Sequence, residues 1–277
     1  MKLNRFHNPK QFYDRVQNYL LDREARHFSL IRTCNTLINN PKIYKSTYLA
    51  TVETQENIVA VATINFPYHL KISQVRDVAA LEIIARDLYR NFQQIPGVGS
   101  FPDNAEFFAK KWQALTGKSY KLKMRTRIHQ LEQVEKIKCA NGSFRPATES
   151  DRPLLINWME AFQMEALGST QEDIEIIVDR FLAQKSLYLW QDKIPVSMLG
   201  GREATPNGAS IAPVYTPPEY RRKGYGSAIV AAASQMLLDK GCRYCFLFTD
   251  LANPTSNHIY KNIGYQPVCD WNDYRFE

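Results

Sequence analysis

In the first half of the chain, stretches whose apolar positions recur with helical periodicity are followed by stretches with the two-residue alternation of strands. Asn8-Pro9 is a typical helix start, because an Asn side chain caps the first turn and proline fits its first position. The periodicity predicts three further helices, over 25–38, 75–91 and 104–115. Two strands are predicted, over 48–52 and 58–66. Val78 is expected on the buried face of its helix, and Pro96 to Gly99 predicts a break in the chain.

The second half alternates strands and helices more closely. Thr148, with Asp151 three residues later, is a capping-box pattern that predicts a helix start. The predicted helices cover 152–166, 171–184, 226–240 and 255–262. The predicted strands cover 143–147, 187–190, 196–202, 209–215, 245–248 and 265–268. Strands that alternate with helices in this way indicate an α/β protein with a mixed sheet of the α+β kind.

The chain divides at a polar stretch near its middle. Its 277 residues suit one or two domains. We expect a first domain over 1–135, a linker over 136–142 and a second domain over 143–277.

The composition is that of a globular protein, with 44% hydrophobic and 23% charged residues. No run reaches the roughly 18 apolar residues of a membrane span, and residues 1–7 lack the apolar core of a signal peptide. Five scattered cysteines argue against a disulfide framework and favour a reducing compartment. We therefore expect a soluble cytoplasmic protein with no membrane partner, as a monomer or a homodimer.

Positive charge is concentrated in the first half of the chain. Residues 1–140 hold 22 Lys and Arg against 12 Asp and Glu, whereas residues 141–277 hold 13 against 16. The densest segment, 118–127, alternates cationic with other side chains and predicts an edge strand that its charge protects. Nucleic acid is another partner for such charge, but no recognised binding motif accompanies it, so the sequence does not favour nucleic acid.

The most informative segment, 214–227, runs from a strand through a turn into a helix. Gly224 and Gly226 lack a Cβ and let backbone N–H groups point into one concavity that fits phosphate oxygens. The helix N-terminus adds about half a positive charge. Three cationic side chains add to it: Arg221, Arg222 and Lys223. The segment predicts a diphosphate site, but it lacks the third glycine of the dinucleotide fingerprint, where Ile229 stands, and the Gly-Lys-Ser/Thr of the mononucleotide P-loop.

These residues resemble the GNAT superfamily of acyl-CoA-dependent N-acetyltransferases. The family's Gln/Arg-x-x-Gly-x-Gly/Ala motif is matched by Arg221, Gly224 and Gly226. Its Asn-x-x-(Ala/Ser)-x-x-x-Tyr-x-x-x-Gly-Phe/Tyr pattern is matched over 253–265, and residues 144–151 resemble its first strand and first helix. The resemblance covers 144–268, with the three motifs in the family's order.

The resemblance implies the GNAT fold, acetyl-CoA as co-substrate and no metal. Free backbone groups near Val214 and Thr216 would pair with the pantetheine arm and polarise the acetyl carbonyl. Tyr260 would face the thioester sulfur and protonate the leaving thiolate. The other residues implied in binding the cofactor are Arg221, Arg222, Lys223, Gly224, Tyr225, Gly226, Ser227, Asn253 and Ser256.

The implied reaction moves an acetyl group to a primary amine of a small molecule or peptide by direct attack in a ternary complex. The amine must first lose a proton, and the base is left open between Glu203, Glu165 and a water relay. Six acidic side chains either form solvated helix faces or attract a cationic amine: Glu160, Glu165, Glu172, Asp173, Glu175 and Asp179. The alternative function is a non-catalytic acyl-CoA sensor whose basic first half binds a partner.

The order of elements in the first half also resembles the GNAT order, which predicts a tandem pair. The turn before Val78 has no glycine and contains Asp77, which would repel phosphate, so we expect the first copy to lack the CoA site. Cys242 and Cys245 have the spacing of a zinc pair but no second pair, since Cys139 and the others are isolated. We therefore expect them to pack in the core.

Overall fold

The computed structural model describes residues 1–55, 57–92, 94–138, 140–168, 170 and 173–277. Cys139, Glu172 and the predicted helix start at 171 lie outside the described residues. Within those ranges, no helix has both the length and the apolar character needed to cross a membrane.

The chain forms two compact units, and neither is continuous in sequence. The first unit comprises Met1–His129, Phe248–Asn253 and Pro267–Glu277. The second unit comprises Gln130–Leu247 and Pro254–Gln266. The domain boundary expected over 136–142 stays a prediction.

The helices are α1 (Pro9–Leu21), α2 (Glu24–Asn39), α3 (Ala79–Phe92), α4 (Pro102–Thr116), α5 (Arg152–Leu167), α6 (Ile174–Ala183), α7 (Tyr225–Asp239) and α8 (Pro254–Ile263). The strands are β1 (Lys2–Phe6), β2 (Thr47–Thr54), β3 (Asn57–Asn65), β4 (Leu70–Ile72), β5 (Gly97–Ser100), β6 (Tyr120–Leu131), β7 (Ser143–Pro146), β8 (Leu187–Asp192), β9 (Ile194–Thr205), β10 (Gly208–Tyr215), β11 (Tyr244–Asp250) and β12 (Gln266–Phe276). Two 3₁₀ turns cover Glu149–Asp151 and Pro218–Tyr220.

In the first unit the strands lie in the order β1-β2-β3-β4-β5-β12-β6. Strands β4 and β5 are parallel, and β12 runs antiparallel to β5. One face of this sheet packs on α3 and α4 around Phe108 and Trp112. The other face packs on α1 and α2 around Phe12 and Leu30. This architecture confirms the predicted mixed sheet, and its helices cover both faces.

The third helix begins later than its periodicity predicts, at Ala79 rather than at residue 75. The reason is that the preceding residues follow β3: the amides of Ser73 and Arg76 donate to backbone carbonyls of that strand. Asp77 then caps the helix by accepting from the Ala79 amide at 2.9 Å. Val78 precedes the helix and is 48% exposed, so its expected burial is wrong.

The predicted chain break at 96–99 is also wrong, because Gly97–Ser100 is strand β5. The glycine at 97 reflects a close approach between strands. A Cβ there would lie 2.2 Å from the carbonyl oxygen of Tyr274 on β12. Strand β12, which pairs with β5, extends well beyond the predicted 265–268. Its residues 267–276 complete the sheet of the first unit.

The cationic strand β6 is not an edge strand, contrary to expectation. It lies beside β12, and on its other side the Leu251 amide donates to the Arg125 carbonyl at 2.9 Å. Arg127 forms two hydrogen bonds with Asp270, of 2.6 and 3.1 Å. Part of the strand's charge is thus balanced by carboxylates of its own unit.

In the second unit the strand order is β11-β10-β9-β8-β7. Strands β7 to β10 are antiparallel, and β10 and β11 are parallel. An apolar cluster around Ile229, Leu247 and Ile263 joins α7 and α8 to the sheet. Val134, from the end of the predicted first domain, and Ile137, from the predicted linker, pack against this cluster.

The start of the second unit's first helix is fixed by one ion pair. The Arg145 guanidinium on β7 donates to both carboxylate oxygens of Asp151 at 2.8 Å. The same carboxylate accepts from the Thr148 amide at 2.8 Å, which confirms the predicted capping box. These hydrogen bonds, with Arg145 as the largest cause, lower the pKa of Asp151 to about 2.

A carboxyl group whose pKa is depressed in the folded state contributes stability above its unfolded pKa, and this contribution is lost as the pH falls through the folded value. We therefore expect Asp151→Asn to lower the free energy of unfolding by roughly 1–2 kcal/mol at pH 6, with the difference shrinking between about pH 4 and pH 2. Urea denaturation at several pH values measures this.

The matched control is Asp14→Asn, whose carboxylate forms an exposed pair with Lys10 on one helix. Such pairs contribute little. A loss of stability in Asp151→Asn that is as large at pH 2 as at pH 6 would contradict the assignment.

Candidate functional site

The end of β10 is where the sheet of the second unit opens. Among the described residues, the parallel pairing of β10 with β11 runs over 208–210 and 244–246. On its other side β10 stays paired with β9 as far as Tyr215. A register shift between Ile211 and Val214 marks a bulge in this pairing. Beyond Ser210, the backbone groups of β10 that face β11 lie outside this parallel pairing, and those near Val214 are suited to bind an extended ligand.

Arg221, the first residue of the motif, holds the turn after β10 in shape. Its Nε donates to the Thr216 carbonyl at 2.8 Å, and one terminal nitrogen lies 2.6 Å from Glu165 Oε2 on α5. The guanidinium carbon is 5.8 Å from the Tyr215 ring centroid. The Thr216 hydroxyl is in turn 2.8 Å from the Ser197 hydroxyl on β9. The turn is thus tied to both α5 and β9.

Helix α7 begins at the turn with unpaired amides. Gly224 precedes it with φ 84° and ψ −2°, a left-handed conformation that glycine adopts without strain. The Ala228 amide donates to the Gly224 carbonyl, which leaves the amides of 225–227 without partners inside the helix. Amides at a helix N-terminus bind anions, and the helix dipole favours negative charge there. This local geometry suits an anion, and the phosphate site itself stays a prediction.

Two cations remain at the surface of this turn. Arg222, at φ 63°, and Lys223 are both exposed. The Lys223 ammonium lies 5.7 Å from the Tyr220 ring centroid. Because Arg221 is held by Glu165, these two side chains are the better candidates for contact with phosphate.

Tyr225 fixes the first turn of α7 from the side. Its hydroxyl donates to Asp192 Oδ2 at 2.5 Å, where β8 turns into β9. The carboxylate and burial raise the pKa of Tyr225. Neither Asp192 nor Ser197 was identified from the sequence, since no motif connects them to partners that lie 33 and 19 positions away along the chain.

Tyr260 lies in α8 and is 9% exposed. It packs edge-on against Tyr265, with 5.8 Å between ring centroids. Tyr225 belongs to the same apolar cluster as Tyr260, and Val214 packs against this cluster. Burial raises the pKa of Tyr260 to about 12. The phenol is therefore protonated at neutral pH and able to donate a proton.

The other two predicted residues of this region lie at the start of α8. Asn253 immediately precedes the helix, and its amide donates to the Asp250 carbonyl at 3.1 Å. Ser256 is in the first turn. Their contacts with a cofactor stay predictions.

The two candidate bases lie in different places. Glu203 is exposed on β9 opposite Ala209, five residues along the ladder from Val214 or about 16 Å at strand spacing. The structure therefore does not bring Glu203 to the open end of β10. Glu165 does lie there, but it is paired with Arg221.

The acidic side chains of α5 and α6 are partly neutralised. Arg152 donates to Asp179 at 2.6 Å and to Glu175 at 2.8 Å. Since Glu165 is paired with Arg221, three of the six predicted acidic residues have cationic partners, and Glu172 is not described. This weakens the argument for a cationic acceptor.

The cysteine pair contributes to packing. Cys245 is fully buried on β11, and burial raises its pKa to about 12. Burial likewise raises the pKa of Cys242, with a smaller contribution from Glu203. In the described part of the chain, no group of three His, Cys, Asp or Glu side chains could hold a metal ion.

Known proteins show similarity at two levels. Residues 153–265 match the model of the Acetyltransferase (GNAT) family. A thialysine N-epsilon-acetyltransferase of Bos taurus is 36% identical over 67 residues, which cover 23% of this chain and 39% of that relative. The chain thus matches well under half the length of this curated relative.

Solved structures share the fold over the whole chain. A GCN5-related N-acetyltransferase from Sphaerobacter thermophilus superposes with a TM-score of 0.65 at 12% identity, covering 99% of this chain and 94% of that one. A tandem GNAT protein from the clavulanic acid biosynthesis pathway gives a TM-score of 0.58 at 11% identity, covering 100% and 98%. The chain therefore has the two-domain fold of tandem GNAT proteins, and its residues 153–265 belong to the GNAT acetyltransferase family.

Proposed function

We propose that the second unit transfers an acetyl group from acetyl-CoA to a primary amine of a small molecule or peptide. The observation that carries this proposal is the junction of β10 and α7, where an opened strand end meets three unpaired helix amides. Two exposed cations, Arg222 and Lys223, flank these amides. This arrangement suits a ligand with a diphosphate at one end and an extended amide-containing arm.

The diphosphate would bind at the amides of 225–227, with Arg222 and Lys223 adding charge. The pantetheine arm would pair with the backbone of β10 between Val214 and Thr216. Ser256, in the first turn of α8, would bind the same arm. Each contact uses a group whose local geometry suits it.

The acyl transfer itself needs few groups. The amine nitrogen attacks the thioester carbonyl, a C–N bond forms, and the C–S bond breaks as the electron pair returns to sulfur. A backbone N–H near Val214 would stabilise the oxyanion. Tyr260 would give its phenolic proton to the departing thiolate. Burial raises the pKa of Tyr260 to about 12, so the phenol is protonated at neutral pH.

A relay of water molecules is a better candidate than either glutamate for accepting the proton that the amine loses. Glu203 lies on β9 opposite Ala209, far from the open end of β10. Glu165 forms an ion pair with Arg221 at 2.6 Å. We propose that Glu165 acts as a positioning residue, because its pair with Arg221 ties α5 to the turn that leads into α7.

In the described part of the first unit, the turn before α3 has no equivalent set of unpaired amides, which supports a single cofactor site. In the turn before α3, the Ser73 amide donates to Val61 and the Arg76 amide to Val59. The Gln74 amide donates to His27 Nε2 at 3.3 Å. These amides form hydrogen bonds within the first unit and are therefore not available to a ligand.

The acceptor is an alkyl primary amine in this proposal. The relative named thialysine N-epsilon-acetyltransferase supports this class, since its name denotes acetylation of a side-chain amine. A suitable panel therefore holds thialysine, lysine, a polyamine, an aminoglycoside and a peptide with a free N-terminus. Amine-dependent release of the CoA thiol from acetyl-CoA tests the function. Binding of acetyl-CoA without turnover on any amine would favour the sensor.

Tyr260→Phe keeps the ring and removes the proton that the thiolate would take. With an acceptor from the panel, we expect kcat to fall about 10²-fold or more, with no change in the unfolding temperature of the variant. The control is Tyr244→Phe, which changes the first residue of β11 and should retain wild-type kcat. A Tyr260→Phe variant with kcat within about threefold of wild type would exclude the proton-donor role.

Glu165→Gln distinguishes a positioning residue from a base. Glutamine can still accept from Arg221, so we expect kcat within about threefold of wild type and an unchanged pH–rate profile, whereas loss of a general base costs about 10²-fold or more. Glu165→Ala removes the acceptor and should raise the KM for acetyl-CoA. If Glu165→Gln lowers kcat about 10²-fold and also abolishes the fall in rate at low pH that protonation of a base causes, then Glu165 is the base.

A further inference from the structure

A half-buried lysine lies on the α2 face of the first unit, outside the proposed active site. Lys71 on β4 pairs in register with Gly99 on β5, and Gly99 pairs with Asp273 on β12. Their neighbours along the strands, such as Val98 and Tyr274, face the apolar cluster on the opposite side of the sheet. Lys71 and Asp273 therefore share the α2 face, separated by a residue without a side chain.

The Lys71 ammonium is held by neutral groups. Its Nζ donates to the Ser29 hydroxyl at 3.0 Å and to the Thr33 hydroxyl at 3.2 Å, both on α2 and both 6% exposed. The Thr33 hydroxyl donates to the Ser29 carbonyl at 2.9 Å. The Thr33 proton is thus committed, whereas Ser29 keeps an O–H to donate.

No carboxylate neutralises this cation at contact distance. Among the described residues, every ion pair within 4.0 Å joins other side chains, and Asp273 lies 3.6 Å from His69 Nδ1. Burial, and then the Arg32 guanidinium, lower the pKa of Lys71 to about 8, while Asp273 and the Cys34 thiol oppose the shift. A charge buried among neutral partners is costly unless a counter-charge joins it.

We propose that the first unit binds a small free carboxylate between Lys71 and Ser29. An ammonium has three N–H groups, of which two are used, so the third N–H and the Ser29 O–H form a pair of donors. A planar carboxylate accepts two such bonds through its two oxygens. A single negative charge suits the site better than a phosphate dianion, because Asp273 would repel the second charge.

This proposal is independent of acetyl transfer, and its test uses no acetyl-CoA. Saturation-transfer NMR with sodium acetate as the probe, at constant ionic strength, should show saturable binding to the full chain. Lys71→Met should weaken acetate binding about tenfold or more, as expected on loss of a charge-assisted hydrogen bond. Lys110→Met, which removes an exposed lysine paired with Glu106, should bind acetate as the wild type does.

Inorganic phosphate is added as a competing ligand in the same experiment. We expect it to displace acetate poorly. Equal acetate binding by Lys71→Met and wild type would overturn the proposal, and so would non-saturable binding or stronger binding of phosphate than of acetate. Retained unfolding temperature in Lys71→Met establishes that any loss of binding reflects the site and not the fold.

Discussion

The separation of β10 from β11 is the constraint on which the proposed chemistry depends. Parallel strands normally bond along their whole shared length, yet pairing here ends after Ser210. The pairing of Val214 and Tyr215 with β9, together with the hydrogen bond from the Ser197 hydroxyl to the Tyr215 carbonyl, keeps the end of β10 attached to β9. A strand end that is fixed on one side and open on the other can bind an extended ligand without rearrangement, which lowers the entropy lost on binding.

The first unit has a similar arrangement of strands, but the end of its corresponding strand is closed. Its corresponding parallel strands, β4 and β5, are paired at Leu70 and Lys71, and the Ser100 hydroxyl donates to the Ile72 carbonyl at 2.9 Å. That hydrogen bond closes the end of β4, where β10 is open. One fold thus holds an open strand end in one unit and a closed one in the other, which accounts for a single proposed cofactor site in a two-domain chain.

The sequence predicted what local rules determine and failed where distant contacts decide. Asn8, the Thr148–Asp151 capping box and the Gly224 turn were identified because each acts within a few residues. Strand β5 was missed because its glycines resemble a loop until β12 packs against them. Glu165 resembled a free base because its partner, Arg221, lies 56 positions away. The roles of the site residues stay predictions for the same reason: no local pattern reports what they contact.

Acetyl-CoA binding by calorimetry tests the central claim, with Gly224→Glu compared with Gly241→Glu. Both glycines have positive φ, at the two ends of α7, so the two substitutions add equal charge and similar strain. Gly224→Glu directs a carboxylate at the proposed phosphate site, whereas a Cβ at Gly241 meets no atom within 4 Å. We expect saturable binding that Gly224→Glu weakens about tenfold or more and Gly241→Glu leaves unchanged. Undiminished binding in Gly224→Glu, or none in the wild type, would contradict that claim.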